Sequence, residues 1–401
     1  MRASISRLEN KIHTWQRHIH ALAEEIGPRG STTEGERLAS LYCHRVLRRL
    51  GLDAKIETFM SARSIYHPHL VAAAAILLAF LIYPLYGRIS AALSVVLILL
   101  ALCCELLELS FHNNPIRAVI AKARSQNVIA TIPPAGDHRQ DLILIGHVDS
   151  HRTPVIFKNK TWLTAYVIFV TSAFFVFFSQ AILYTLGIQS GWRWIWPATI
   201  ICAVYALVLG AMCLHADSTP FSKGANDNAT AAGIVLTLAE HLKSEPLKHT
   251  RVWLACTGCE EVQHYGAIDF FHRHRAEFRN PKAVVFEMLG CDGPAWLTKE
   301  GIIVPFHADR ELVELAETIA GENPELKGFP TRVSGGNTEM ADALRQNIPA
   351  ITLSGIDAKG FAPYWHQPED TYDKMDAGTL TRNYAFTWLF IRALDGKAAL
   401  G

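Results

Sequence analysis

Five short blocks place His or acidic residues where a folded chain can gather them around a metal ion: GHVDSH (146–151), GANDNATAAG (224–233), TGCEEVQHYGA (257–267), FEMLG (286–290) and YWHQPEDTYD (364–373). In the first, the apolar run LILIG leads into His147-Val148-Asp149, and strand alternation sends both polar side chains to the same side. A carboxylate beside a ligating imidazole fixes its tautomer and orientation, so His147 is a candidate ligand and Asp149 its orienting partner. In the second block, Gly224, Asn226, Asp227 and Asn228 make a polar turn before an Ala-rich helix. Asp227 serves there either as an N-terminal cap or as a ligand. The third block ends an apolar strand in a small-residue turn bearing Glu260 and Glu261, of which one can ligate while its neighbour acts as a base. Glu24-Glu25, by contrast, reads as a solvated helix face. The fourth ends a short apolar strand at Glu287, with Asp292 a looser candidate; the fifth offers His366 among aromatics and prolines, with Asp370 and Asp373 nearby.

Cys256 and Cys259 have the spacing of a redox pair or of half a zinc knuckle. Neither fits the context, because no second Cys pair stands at ligand spacing and a strand end is not the helix start that a redox motif uses. The imidazoles and carboxylates are the stronger set. Two His and three or four carboxylates, in the order H-x-D, D, E-E, E, H, suit two zinc-class ions bridged by a carboxylate.

These residues need strands that end in one crevice. Apolar runs at 128–132, 142–145, 252–255, 283–286 and 350–353 read as such strands, and 36–50 reads as a helix closing at Gly51. The alternation argues for an α/β layered sheet, whose strand ends aim side chains into a ligand crevice.

The composition adds a second theme. Of 401 residues, 50% are hydrophobic and only 19% charged, which suffices for a large core and membrane segments together. A net charge of +1 without a long basic run gives no reason to expect nucleic acid as a partner. Four segments, 70–86, 89–107, 162–186 and 194–214, have the length and apolarity of bilayer spans, with Glu105 the least fitting residue. They pair into two hairpins, 70–108 and 162–214, which divide a single non-membrane domain into parts 1–69, 109–161 and 215–401 on one face of the bilayer. The amino-terminal segment lacks the apolar stretch of a secretory signal. Arg63, Arg117, Lys122, Arg152, Lys158, Lys160 and Lys223 flank the spans on the domain side, against Arg88 and Arg193 at the hairpin tips, so the positive-inside rule puts the domain in the cytoplasm, anchored to the cell (inner) membrane.

The five blocks resemble those of the di-zinc exopeptidases, a family that includes secreted bacterial aminopeptidases, aminopeptidase Y and, as divergent relatives, glutaminyl cyclases. The likeness covers nearly all of the non-membrane chain; NVIATIPP (127–134) is similar to the strand before the first block, and GNTEMADALRQNIPAITL (336–353) to the approach to the last ligand. The resemblance implies a zinc-exopeptidase-like mixed central sheet flanked by helices, with four transmembrane helices inserted as two hairpins. It implies His147 and Glu287 on one Zn2+, Glu261 and His366 on another, Asp227 bridging both and Asp149 orienting His147. Glu260 would be the general base, taking a proton from a metal-bridging water as it attacks the scissile carbonyl and delivering it to the leaving amine. The implied substrate is a peptide with a free N-terminus, its amine held by nearby acids.

This chain departs from the family pattern at several points. Glu287 stands where many relatives have Asp, Trp365 where aminopeptidases often have Tyr, and Thr338-Glu339 where Thr-Asp or Ser-Asp is usual. A membrane excursion separates the first two ligand blocks. The expectation is a membrane-anchored zinc aminopeptidase; the alternatives are a glutaminyl cyclase-like acyltransferase, a catalytically silent membrane scaffold and a hydrolase of amide-linked small molecules.

Overall fold

The structure is a computed structural model that describes residues 2–333 and 335–399. Met1, Ser334, Leu400 and Gly401, which the expected domain ranges include, lie outside the described residues. The chain forms two compact units: one of Met1–Ser61, Ala123–His151 and Phe221–Gly401, the other of Ala62–Lys122 and Arg152–Pro220. Residues 62–69, 109–122, 152–161 and 215–220 therefore belong with the apolar helices, although their composition had grouped them with the peptidase-like part. Ion pairs explain the shift: Arg117 lies 2.8 Å from Glu108, His69 2.8 Å from Glu105 and Arg152 3.4 Å from Asp217, tying polar flanks to helix ends.

The first unit is built on a mixed sheet of nine strands among the described residues, in the order β1-β2-β4-β3-β5-β9-β6-β7, with β8 on β6. The strands are β1 (Lys55–Ala62), β2 (Lys122–Ile132), β3 (Gln140–His147), β4 (Thr250–Thr257), β5 (Pro281–Glu287), β6 (Ala295–Glu300), β7 (Phe306–His307), β8 (Phe329–Arg332) and β9 (Ala350–Ser354). β4, β3, β5 and β9 run parallel to their neighbours, while β2 and β6 flank them antiparallel. All eight residues of β3 are buried because helices cover both faces, so its apolar run shows no alternation. Leu142 and Leu144 face a core shared with Val235 and Leu238 of helix Thr230–Ser244 and Phe390 of helix Ala377–Ala398. Ile143 and Ile145 face the other side, with Phe270 and Phe271 of helix Tyr265–His274 and Met340 of helix Met340–Arg345.

One glycine sets how closely the layers meet. A Cβ on Gly146 would lie 2.7 Å from the backbone of Ala231, so only glycine lets the end of β3 press against the start of helix Thr230–Ser244.

The second unit packs helices Tyr66–Ile82, Arg88–Leu109, Lys160–Ser190 and Ile200–Ser218 around Ala72, Ala79, Ala101, Ala173, Ala181 and Ala206. Small residues at the seams let the backbones approach closely. Outward, Leu81, Leu93, Phe175, Ile200 and Leu207 are exposed. Three of these helices are long and apolar enough to cross a membrane; Tyr66–Ile82, with 17 residues, is shorter. The first expected span thus ends four residues early, just before Pro84. The fourth starts at Ile200 rather than 194, because Pro197 sits in a separate short helix, Ile195–Ala198. Glu105, the residue least suited to a span, has His69 as its partner.

At the amino-terminal end of the sheet, Asp141 of β3 accepts hydrogen bonds from Arg251 Nε and Nη2 on β4 (2.6 and 2.8 Å) and from the backbone N–H of Arg279 ahead of β5 (2.6 Å). Burial alone would raise its pKa, but these donors hold it below the usual 3.8. The ionised form is the one the fold favours, so its stabilisation is complete above 3.8 and disappears as pH falls through the lower folded value. Asp141→Asn should therefore lower the melting temperature at pH 7, and the gap to wild type should close only below pH 3.8; a gap independent of pH would refute the clamp.

Candidate metal centre

The carboxyl ends of β3, β4 and β5 lie side by side, and each delivers a polar residue to the same place. β3 ends at His147, in register with Thr257 of β4, three residues before Glu260; β5 ends at Glu287. The turn 225–229 adds Asp227, and the loop after β9 adds His366. Cys259, Met288 and His366 adopt left-handed backbone at φ 54, 52 and 54. Such non-glycine positions cost about 1–3 kcal/mol each and cluster where a side chain must be aimed.

Two triads result. His147 Nε2 is 3.6 Å from Asp227 Oδ1 and 3.7 Å from Glu287 Oε1. His366 Nε2 is 3.4 Å from Asp227 Oδ2 and 3.2 Å from Glu261 Oε2. Asp227 thus turns one oxygen to each imidazole, the arrangement of a bridging carboxylate. Glu260 Oε2 lies 3.6 Å from His147 Nε2, beside both triads.

The donor set fits zinc. Nitrogen and oxygen ligands at about 2.0–2.1 Å around a tetrahedral ion lie about 3.3 Å from one another, close to the spacings above. Glu261 Oε1 and Glu287 Oε2 are buried and accept no hydrogen bond, so each has a lone pair left for a cation. Burial and the nearby Asp227 push the Glu261 carboxyl well above its usual range, and burial raises Glu287 to about 7. Burial disfavours charged imidazoles, but Glu260, Asp149 and Glu287 outweigh it at His147, which rises well above 6.5, and Glu261 and Asp227 do so at His366, which rises to about 9. Acids that hold protons beside bases that hold protons form a set short of positive charge, which divalent ions supply.

Neighbouring residues fix the candidate ligands. His147 Nδ1 lies 3.5 Å from Asp149 Oδ1 and donates to the Asp149 carbonyl at 3.2 Å. The same carboxylate accepts from the backbone N–H groups of Glu260 (3.1 Å) and Glu261 (3.2 Å) and from Ser31 Oγ (2.6 Å), so it holds both the imidazole and the two-glutamate turn. Glu36 backs that turn by accepting from the Cys259 N–H at 2.7 Å. Asn226 and Asn228 fasten the Asp227 turn to the end of β5: Gly290 N donates to Asn226 Oδ1 at 2.8 Å and Met288 N to Asn228 Oδ1 at 3.1 Å. Asp370 accepts from the backbone N–H groups of Asn226 (2.6 Å) and Asp227 (3.0 Å).

The structure brings all seven principal candidates together: His147, Asp149, Asp227, Glu260, Glu261, Glu287 and His366. Asp370 joins them as a support, while Asp373 is exposed and paired with Lys374, and Asp292 caps its own turn at Gly293 N. Cys256 and Cys259 are buried and free. Glu24 departs from the solvated face expected of it, accepting from the Tyr372 N–H at 3.1 Å and pairing with Lys223. His151, the second imidazole of GHVDSH, was not foreseen: its ring stacks on His366 with centroids 3.6 Å and planes 12° apart. It groups with Glu261 and His366 at ligand spacing. Asp227 also approaches His366, so both His151 and Asp227 stand at its side of the site.

At low identity, 95–96% of the chain aligns with solved aminopeptidases and glutaminyl cyclases that share its fold. A leucine aminopeptidase precursor from Bacteroides thetaiotaomicron aligns at 13% identity over 95% of this chain and 96% of its own, with a TM-score of 0.56. BSAP, a zinc aminopeptidase from Bacillus subtilis, aligns at 14% over 96% and 94%, with a TM-score of 0.56. A glutaminyl cyclase from Fimbriiglobus ruber aligns at 16% over 95% of each, with a TM-score of 0.54. No curated protein matches. Site and comparisons together define a zinc metallopeptidase, a hydrolase. Residues 206–391 match the model of Peptidase family M28. That range holds Asp227, Glu260, Glu261, Glu287 and His366; His147 and Asp149 precede it.

Asp370 offers a direct check on how the centre is supported. Asp370→Asn replaces one acceptor with a donor facing a backbone N–H. Zinc affinity should fall about 10- to 100-fold, as measured by competition with a chromogenic chelator; wild-type affinity would remove Asp370 from the support.

Proposed function

We propose that this chain is a membrane-anchored aminopeptidase that binds two zinc ions and releases N-terminal residues from peptides, with His147, Asp227, Glu261, Glu287 and His366 as ligands and Glu260 as general base. The observation that carries the reading is the shared Asp227: one carboxylate faces two imidazoles, each with its own glutamate, and a further glutamate, Glu260, stands beside them. Zinc held there would supply Lewis-acid polarisation of the scissile carbonyl and a water that ionises near neutral pH. Glu260 then takes the proton of the attacking water at Oε2 and returns it to the leaving amine. Asp149 keeps Glu260 and Glu261 in place through their backbone N–H groups while presenting His147 in one ring orientation. The burial of Glu260 keeps bulk water from competing for that proton.

Anchoring is supported by the three long apolar helices and the outward-facing Leu, Ile and Phe side chains of the second unit. The excess of Arg and Lys flanking the helices on the side of the peptidase segments supports a cytoplasmic catalytic unit. Because the chain leaves the first unit directly after His151, peptides at a membrane surface are the substrates proposed.

Glu260→Gln should lower kcat on aminoacyl-amide substrates by about 10²–10⁴ while zinc content stays at two per chain. Full activity in that variant would overturn the mechanism, and conversion of Gln-peptides to pyroglutamyl-peptides with release of ammonia, in place of amide hydrolysis, would assign the acyltransferase chemistry of the glutaminyl cyclases instead. The protein should also resist alkaline carbonate extraction from membranes and dissolve in detergent; its release by carbonate alone would exclude the anchor.

A further inference from the structure

Glu260 has a second partner that the reaction described so far leaves without a task. His264 begins helix Tyr265–His274 as its N-terminal flanking residue, with φ 55, directly after Gln263 at φ 84. Two consecutive non-glycine residues in the left-handed region turn the His264 ring back toward the Glu260 side chain. Its Nε2 lies 3.1 Å from Glu260 Oε1, and its Nδ1 lies 2.6 Å from Asp342 Oδ2 on helix Met340–Arg345. All three side chains are buried.

An imidazole has only two ring nitrogens, and here each faces a carboxylate, so the ring's plane and tilt are determined at both ends. The two oxygens of Glu260 are thereby made unequal: Oε1 is held by His264, and Oε2 points to His147 at 3.6 Å. A base must reach the proton it removes in one geometry, and a free carboxylate on a rotatable side chain does not keep it.

We propose that His264, held by Asp342, is a positioning residue for the general base: it fixes the Glu260 carboxylate so that Oε2 is presented to the reacting water. The inference rests on the reading of Glu260 as that base. The charge balance agrees with the geometry. Burial disfavours a charged His264, but Asp342 and Glu260 outweigh it and raise its pKa well above 6.5, so the ring donates to both carboxylates.

The test uses the full-length, zinc-loaded protein in detergent. His264→Ala should lower kcat about 10- to 100-fold with KM and zinc content unchanged. His264→Gln, whose amide N–H can reach Glu260 Oε1, should recover most of that loss, and Asp342→Asn should fall between the two. A merely structural role predicts the opposite pattern: lower melting temperatures with wild-type kcat per zinc-loaded chain in all three, which would overturn the proposal. Should His264→Ala fail to fold, a lowered kcat in Asp342→Asn at full zinc content, against wild-type kcat there, decides the matter. Glu260→Gln distinguishes the two levels of failure. If it is inactive while the His264 and Asp342 variants turn over normally, the positioning role alone is lost; if it is active, the base itself is misassigned.

Discussion

Five carboxylates, Asp149, Asp227, Glu260, Glu261 and Glu287, are buried around His147 and His366. Groups of like charge this close, away from water, cannot all ionise unless cations or hydrogen-bond donors compensate them. The solution differs from one residue to the next. Asp149 has donors on all sides, and His147, Ser31 and the Glu260 N–H outweigh the burial that would otherwise raise its pKa, so it stays below the ordinary range. Glu261 and Glu287 have no such donors on one oxygen each, and it is these that remain available to metal. Support and candidate ligand therefore differ in which carboxylates the backbone satisfies.

The sheet makes that division possible because its two ends do different work. At one end Asp141 joins β3 to β4 and to the segment entering β5, which fixes the three strands laterally. At the other end the same strands release His147, Glu260 and Glu287 into turns whose own N–H groups are still unpaired by the sheet. Those N–H groups are what Asp149, Asn226, Asn228 and Asp370 collect or return. A strand end is thus both a mount for a ligand and a source of donors for its neighbours, which is why ligands and supports alternate so closely in sequence.

This also explains what could be read before the fold was seen. The parallel strands were legible because burial on both faces leaves unbroken apolar runs such as 142–145, and two of the candidate ligands because 142–145 leads into His147 and 283–286 ends at Glu287. β1 and β6 to β8 were not, since β1 mixes exposed and buried positions, β7 has two residues and β8 four. Asp149 was legible as a partner of His147 but not as the acceptor for the Glu260 and Glu261 backbone, because backbone donors have no letter in the sequence. Arg29, Glu36, His264 and Asp342 gave no signal for a related reason: their meaning lies in partners far along the chain. The hairpin helices were recognisable by composition, while Pro84 and Pro197 set their ends by removing a backbone donor, a local rule that an apolarity window averages away.

The remaining difficulty is that residues 152–220 intervene between His147 and Asp227, whose side chains lie 3.6 Å apart in the candidate site. The first unit meets this by closing the gap within itself. Where the chain leaves and where it returns, the Ser222 N–H donates to the His151 carbonyl at 2.9 Å and Ser150 Oγ to the Ser222 carbonyl at 2.9 Å. Beneath them the buried Arg29 guanidinium donates to the carbonyls of Val148 (2.7 Å) on the outgoing side and Lys223 (2.6 Å) and Gly224 (2.7 Å) on the returning side. It also reaches Leu22 and Gly27, so a single planar fork joins five carbonyls. With exit and re-entry pinned in this way, the length of the excursion matters little, since each doubling of a loop costs only about 0.6 kcal/mol of closure entropy. The geometry from His147 to Asp227 is set by Arg29, Ser150 and Gly146 rather than by the segment between them, which leaves that segment free to form a separate apolar unit without loosening the candidate site.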